Sequence, residues 1–187
     1  MTSDPDGPET LRKRFEQTAS TSEKRREPVD FGHYDMRIAR DGSWYYRGSR
    51  IDRKPLVTLF SSVLRRDADG SFWLVTPVEK GRIDVEDAPF VGVELFVADA
   101  GAEQTLSVRT SVDEIVTIDA SHPLRVVHDA ATGEPAPYVT IRDGLDALLV
   151  RSVYYELAEL GEARPDGSFG VWSGGTFFVL GAIDEDE

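Results

Sequence analysis

The segment Thr76-Pro77-Val78-Glu79-Lys80-Gly81 puts a hydroxyl, a carboxylate and an amine in one tight turn. It follows Phe72-Trp73-Leu74-Val75, which reads as a buried strand, and a rigid strand is a good platform for a turn that carries chemistry. Glu79 and Lys80 are candidates for acid–base work, with His122 as a third titratable group. The other reading is a surface loop with a weak Glu–Lys pair.

Two arginines form a second constellation. Arg53-Lys54-Pro55-Leu56-Val57-Thr58-Leu59-Phe60 lies on Arg142-Asp143-Gly144-Leu145-Asp146-Ala147-Leu148-Leu149 without a gap, both reading Arg-x-x-Leu-x-x-Leu-apolar. The apolar spacing predicts amphipathic helices over about residues 53–66 and 143–160. A cation in a helix's first turn meets the positive end of the dipole, at a cost of about 0.3–1 kcal/mol. An anion between each guanidinium and the helix amides would offset that. It is either a ligand's phosphate or carboxylate, or a neighbouring side chain such as Asp52 or Asp143.

Other chemistries lack their signatures. The chain has no cysteine, which removes disulfides, thiolate nucleophiles and Cys-ligated zinc. Neither a Gly-x-x-x-x-Gly-Lys loop nor a Gly-x-Ser-x-Gly elbow occurs. The histidines are His33, His122 and His128, and the step from His122 to His128 matches no standard metal spacing. Asp84, Glu86 and Asp87 lack the loop spacing of a hard-cation site. No metal and no cofactor are therefore expected.

The 187 residues carry 21 Lys or Arg against 34 Asp or Glu, a net charge of −13. Residues 1–28 sum to zero, 29–83 to +3 and 84–187 to −16, the last with only Arg109, Arg125, Arg142, Arg151 and Arg164 as bases. The global charge argues against a nucleic acid polymer. A few cations at one place still make a local anion site. With no apolar run near the ~20 residues of a spanning helix, membrane insertion is not expected. The polar N-terminus gives no secretory signal, so a cytoplasmic location is expected.

The elements that position these residues read as follows. Residues 1–28 lack a hydrophobic pattern and read as a disordered leader; residues 183–187 read as an acidic tail. Between them lie short β-type runs and the two helices. The tetrapeptide Asp-Gly-Ser-Phe recurs at Asp69–Phe72 and Asp166–Phe169, with Asp41-Gly42-Ser43-Trp44 as a near-copy. Helix, turn and strand thus read as duplicated in sequence, the other reading being two unrelated helices with ordinary turns. Gly174-Gly175 marks a terminal hairpin.

Three stretches carry a likeness to known proteins: Thr76-Pro77-Val78-Glu79-Lys80 with Val85-Glu86-Asp87-Ala88-Pro89-Phe90; His122-Pro123-Leu124-Arg125; and Pro137-Tyr138-Val139 with Arg142, Leu145, Leu148 and Arg151. With the terminal Gly174-x-x-Phe177-Phe178-x-Leu180-Gly181, the chain resembles the uncharacterised bacterial domain-of-unknown-function family 1285 over about residues 30–181. The resemblance implies a duplicated helix-plus-strand motif and a pleckstrin-homology-like C-terminal half. It also implies a signalling role and a small, nucleotide-like ligand between the halves. The positions matching its polar motif residues are Arg53, Thr76, Glu79, Lys80, Asp87, His122, Arg125, Arg142 and Arg151, and they are the candidate ligand-binding set.

The expected architecture is α+β in two related lobes, 29–90 and 91–182, each a small antiparallel sheet with one helix. The expected function is a regulatory module holding a small anionic ligand at the lobe interface. The alternatives are a small enzyme using Glu79, Lys80 and His122, and an adaptor whose partner is another protein.

Overall fold

The computed structural model describes residues 7–19, 27–99 and 101–182. The acidic 183–187 segment and parts of the leader (1–6 and 20–26) lie outside them. The chain separates between Asp87 and Ala88 into two units.

The first unit begins with a helix, α1 (Pro8–Ala19), inside the segment expected to be disordered. The pattern is sparse, yet Leu11 and Phe15, four residues apart, are both buried. Such i, i+4 spacing gives one apolar stripe, and Phe15 meets the rings of Phe60 and Tyr34 edge-on. Packing rather than propensity therefore forms this helix.

There follow β1 (Val29–Ile38), β2 (Trp44–Tyr46), β3 (Ser49–Arg50), α2 (Lys54–Ser62), β4 (Leu64–Arg66), β5 (Phe72–Val75) and β6 (Glu79–Val85). The strands form one sheet in the order β3-β2-β1-β6-β5-β4. Pairing is antiparallel except between β1 and β6, which run parallel. The expected antiparallel sheet with one helix is thus a mixed sheet with two. The helix expected to reach residue 66 stops at Ser62, because Leu64 pairs with Leu74 as a fully buried strand residue. Met36, Ile38, Trp44, Phe60, Leu64, Leu74 and Ile83 fill this unit's core.

The second unit comprises β7 (Phe90–Ala98), β8 (Thr105–Thr110), β9 (Ile115–Thr117), β10 (Leu124–His128), β11 (Pro135–Arg142), β12 (Leu145–Leu149), α3 (Arg151–Glu159), β13 (Glu162–Ala163), β14 (Ser168–Ser173) and β15 (Thr176–Ala182). Six of its strands form a sheet ordered β10-β11-β12-β7-β8-β9, with β12 and β7 parallel, and β13-β14-β15 form a third sheet. The helix expected over 143–160 is half strand. Leu145, Ala147 and Leu149 are buried while Asp146 and Leu148 between them are not, a period of two rather than 3.6. Gly144, at a φ of 68°, closes the β11–β12 hairpin in a left-handed conformation.

That correction moves the repeat. Arg142 ends a strand, so it does not correspond to Arg53, which precedes α2. The matching helix starts at Arg151, 97 positions after Lys54 (151 − 54). At that shift α2-β4-β5-β6 lies on α3-β13-β14-β15. Buried Leu56 and Phe60 fall on buried Val153 and Leu157, and Asp69-Gly70-Ser71-Phe72 falls on Asp166-Gly167-Ser168-Phe169. Strand register follows too: Trp73↔Arg82, Leu74↔Gly81 and Val75↔Lys80 become Gly170↔Val179, Val171↔Phe178 and Trp172↔Phe177.

The recurrent turns are built alike. The carboxylates of Asp41, Asp69 and Asp166 accept from the backbone N–H of the serine two residues on, at 2.8, 2.9 and 3.0 Å. Each intervening glycine has positive φ (82°, 86° and 80°). The serine hydroxyl and N–H hold the Asp69 and Asp166 carboxyls below the usual range; for Asp41 the N–H of Ser43 leads.

Candidate functional site

The candidate turn between β5 and β6 is locked by Thr76. Its hydroxyl donates to the Glu79 carbonyl at 3.0 Å and accepts the Glu79 N–H at 3.1 Å, and Thr76 itself is buried. Thr76 is therefore a turn-closing residue, its hydroxyl proton committed to the Glu79 carbonyl. Past the turn, successive side chains point to opposite faces of the sheet. Glu79, Gly81 and Ile83 face inward, while Lys80, Arg82 and Asp84 face outward. The strand thus parts the acid from the base that the sequence placed side by side.

Inside, Glu79 is only 4% exposed. One carboxylate oxygen accepts a hydrogen bond from the Arg14 guanidinium on α1, and the other has no hydrogen-bond partner. The buried Tyr34 hydroxyl is also without a hydrogen bond. Burial, and then the adjacent Glu79 charge, raise its pKa well above that of an ordinary tyrosine. The Tyr34 ring lies against Gly81, where an added Cβ would meet ring carbons at 2.4 Å. Glycine there lets the ring reach the carboxylate.

Outside, register brings together residues that sequence spacing does not connect. One row crosses four adjacent strands as His33–Arg82–Trp73–Arg65. A second runs Arg50–Tyr45–Arg37–Asp84. Lys80 Nζ lies 5.1 Å from the Trp73 ring centre, and the Arg37 guanidinium 4.3 Å from that of Tyr45. The Trp73 indole N–H donates to the Ser71 hydroxyl at 2.8 Å, which fixes the ring. Arg37 is paired with Glu86 and Arg50 with Asp52. Around Trp73 the balance differs. Among the described residues no carboxylate lies within ion-pair distance of Arg65, Lys80 or Arg82, and Arg65 donates to the Ser62 and Leu64 carbonyls. His33 contacts Asp84 at 3.3 Å.

Of the nine candidates, only Lys80 belongs to this face. Arg53 donates to Glu9 of α1, so the anion beside α2 is one of the protein's own carboxylates. Asp87 pairs with Arg40 at 3.3 Å. The remaining four lie in the second unit. Arg125 donates to Asp146 at 2.6 Å and covers the Tyr138 ring, and Thr140 holds the other Asp146 oxygen at 2.9 Å. Arg142 faces Glu114 at 3.6 Å and Phe90 at 5.3 Å. With no helix behind Arg142, the dipole argument does not apply to it. His122 sits in a turn capped by Asp119, which accepts its N–H at 2.9 Å. Arg151 is exposed at the start of α3. Arg109, also in the acidic half, is held by Glu94 at 2.7 Å and Asp113 at 3.0 Å.

Trp73, Arg82 and Arg65 were absent from the sequence-derived set. Their signal was there, since Lys80, Arg82 and Asp84 alternate with Glu79, Gly81 and Ile83. That pattern says they share a face; only strand pairing says which neighbours share it with them. Among the described residues no group of three or more His, Asp or Glu is arranged to hold a metal ion. No helix there is long and apolar enough to cross a membrane.

The class defined by this architecture is a mixed α+β protein of two units sharing a helix–three-strand repeat. Residues 24–88 match the family model described as "Domain of unknown function (DUF1285), N-terminal domain". Residues 89–180 match "Protein of unknown function (DUF1285), C-terminal domain". The chain belongs to the DUF1285 family. The join between the two matched regions, at 88/89, lies one residue from the division between the structural units. A DUF1285 crystal structure from Silicibacter pomeroyi DSS-3 is similar with a TM-score of 0.81 at 46% identity, over 90% of this chain and 94% of that one. Another, from Shewanella baltica OS155, has a TM-score of 0.52 at 28% identity, over 66% of this chain and 90% of that one. No curated protein matches.

Proposed function

We propose that this chain is a cytoplasmic ligand-binding regulatory module, and that the outer face of the first unit's sheet holds a small anionic ligand with a flat ring, of nucleotide type. One observation carries the reading. Trp73 lies between Arg65 and Arg82 in a cross-strand row with Lys80 over its ring, and none of these three cations has a carboxylate within ion-pair distance among the described residues, Asp69 acting on Arg82 only at longer range. Elsewhere most guanidiniums are spent on internal partners. A ring stacked on an aromatic side chain gains about 1–3 kcal/mol. Charge-assisted bonds to phosphate oxygens are the stronger class of hydrogen bond. In this reading the second unit, pleckstrin-homology-like by the family resemblance, is the part that passes the signal on.

The test is a titration of the full chain with adenosine and guanosine 5′-monophosphates and with inorganic phosphate, followed by tryptophan fluorescence and thermal midpoint. The nucleotides should quench emission and raise the midpoint, and inorganic phosphate should compete only weakly. Trp73→Leu should weaken binding by about 5–150-fold, the equivalent of losing the stacking. No response to either nucleotide, or an undiminished one in Trp73→Leu, overturns the proposal.

A further inference from the structure

The strand β6 starts with a carboxylate that the anion face does not use. Glu79 is buried beside Val29, its partner across the parallel pair. One of its oxygens and the neighbouring Tyr34 hydroxyl are buried without hydrogen bonds. A buried carboxylate left half-satisfied costs free energy, so this pair is a strong acceptor for a donor-rich cation. The cation present is Arg14, whose guanidinium carbon also lies 4.9 Å from the Phe31 ring centre. A carboxylate on one side and a π-face on the other is a recognition geometry for a planar cation.

The rim is apolar and open. Val29, Phe31 and Val78 are 59%, 52% and 43% exposed, and Val29 N–H donates to the Val78 carbonyl, which puts the two residues side by side. Arg14 reaches the site from α1, which has just two large apolar residues, Leu11 and Phe15, to hold it by burial and lies wholly before the family-matched region, which starts at residue 24.

We infer that Glu79, Tyr34 and Phe31 form a guanidinium-binding site with an apolar rim, and that it accepts an arginine side chain carried by a ligand or partner in place of Arg14. The helix α1 is the resident occupant, and binding and α1 release are coupled. This site lies on the inner side of the sheet and is independent of the anion face.

The test uses the full chain and Nα-benzoyl-L-argininamide, whose aromatic group suits the rim. Its neutral citrulline analogue, a urea in place of the guanidinium, is the control. Hydrogen exchange at the amides of residues 9–19 should rise at least tenfold at saturation, with β6 unchanged and the citrulline analogue inert. Glu79→Gln should abolish the response. If that variant fails to fold, Phe31→Ala, at an exposed position, should weaken the response about 2–5-fold, the measure of a surface cation–π contact. Exchange that does not respond to the arginine compound overturns the inference, as does an equal response to the citrulline analogue.

Discussion

The repeat α2-β4-β5-β6 and its later copy α3-β13-β14-β15 share length, turn chemistry and register, but they do not share a surface. Where the first copy has Trp73, Lys80, Arg82 and Arg65, the second has Gly170, Phe177, Val179 and Glu162. The aromatic-cationic cluster is therefore no by-product of the scaffold. At Gly170 an added Cβ would lie 2.1 Å from the Phe178 carbonyl oxygen, so the second copy cannot hold any side chain where the first holds tryptophan. Buried hydroxyls survive in both, redirected. Thr76 closes its own turn, whereas Ser173 accepts from Leu106 N–H at 2.9 Å and donates to the Ile118 carbonyl, tying the third sheet to its neighbour.

The comparison can be broken at its core first. Phe60 and Leu157 occupy equivalent, fully buried positions. Phe60→Ala should cost about 3–5 kcal/mol and Leu157→Ala about 2–5 kcal/mol in denaturant unfolding. If the units unfold separately, each change should move only its own unit's transition. Next come the hydroxyls. Ser173→Ala leaves a buried N–H and carbonyl without their partner and should cost about 1–3 kcal/mol.

The surface changes come third. Arg82→Ala should weaken nucleotide binding severalfold with stability held within about 0.5 kcal/mol. Val179→Ala, its counterpart, should leave binding untouched, as isothermal titration would show.

The smallest effect is the turns' response to acid. The folded carboxyls of Asp69 and Asp166 are depressed below their unfolded values. Their contribution is therefore fully present above the unfolded pKa and is lost as pH falls through the folded one. Asp69→Asn and Asp166→Asn should each flatten the acid limb of the stability curve below about pH 4. A matching change in both copies supports equivalent turns; a change in one alone breaks the equivalence.

Much of this was legible in the chain. Short apolar and aromatic runs such as Phe72–Val75 pointed to most of the strands, and Gly174-Gly175 predicted the last hairpin. The resemblance carried by short motifs such as His122-Pro123-Leu124-Arg125 pointed to the right family. The errors came from period and partner. Leu145, Leu148 and Leu149 satisfy a helical spacing as well as a strand, and only pairing with β7 and β11 decides for strand. Leu11 and Phe15 look too few for a helix until Phe60 and Tyr34 are there to cover them.

By itself the sequence determined the Asp-Gly-Ser turns and the last hairpin, because backbone geometry fixes these locally, and it showed that a unit recurs without fixing where its helix begins. It could not determine that Trp73 stands between Arg65 and Arg82, that Arg14 seals Glu79, or that Arg125 and Arg142 meet acidic partners. Those depend on which strands and helices become neighbours, a choice made by burial of the whole core.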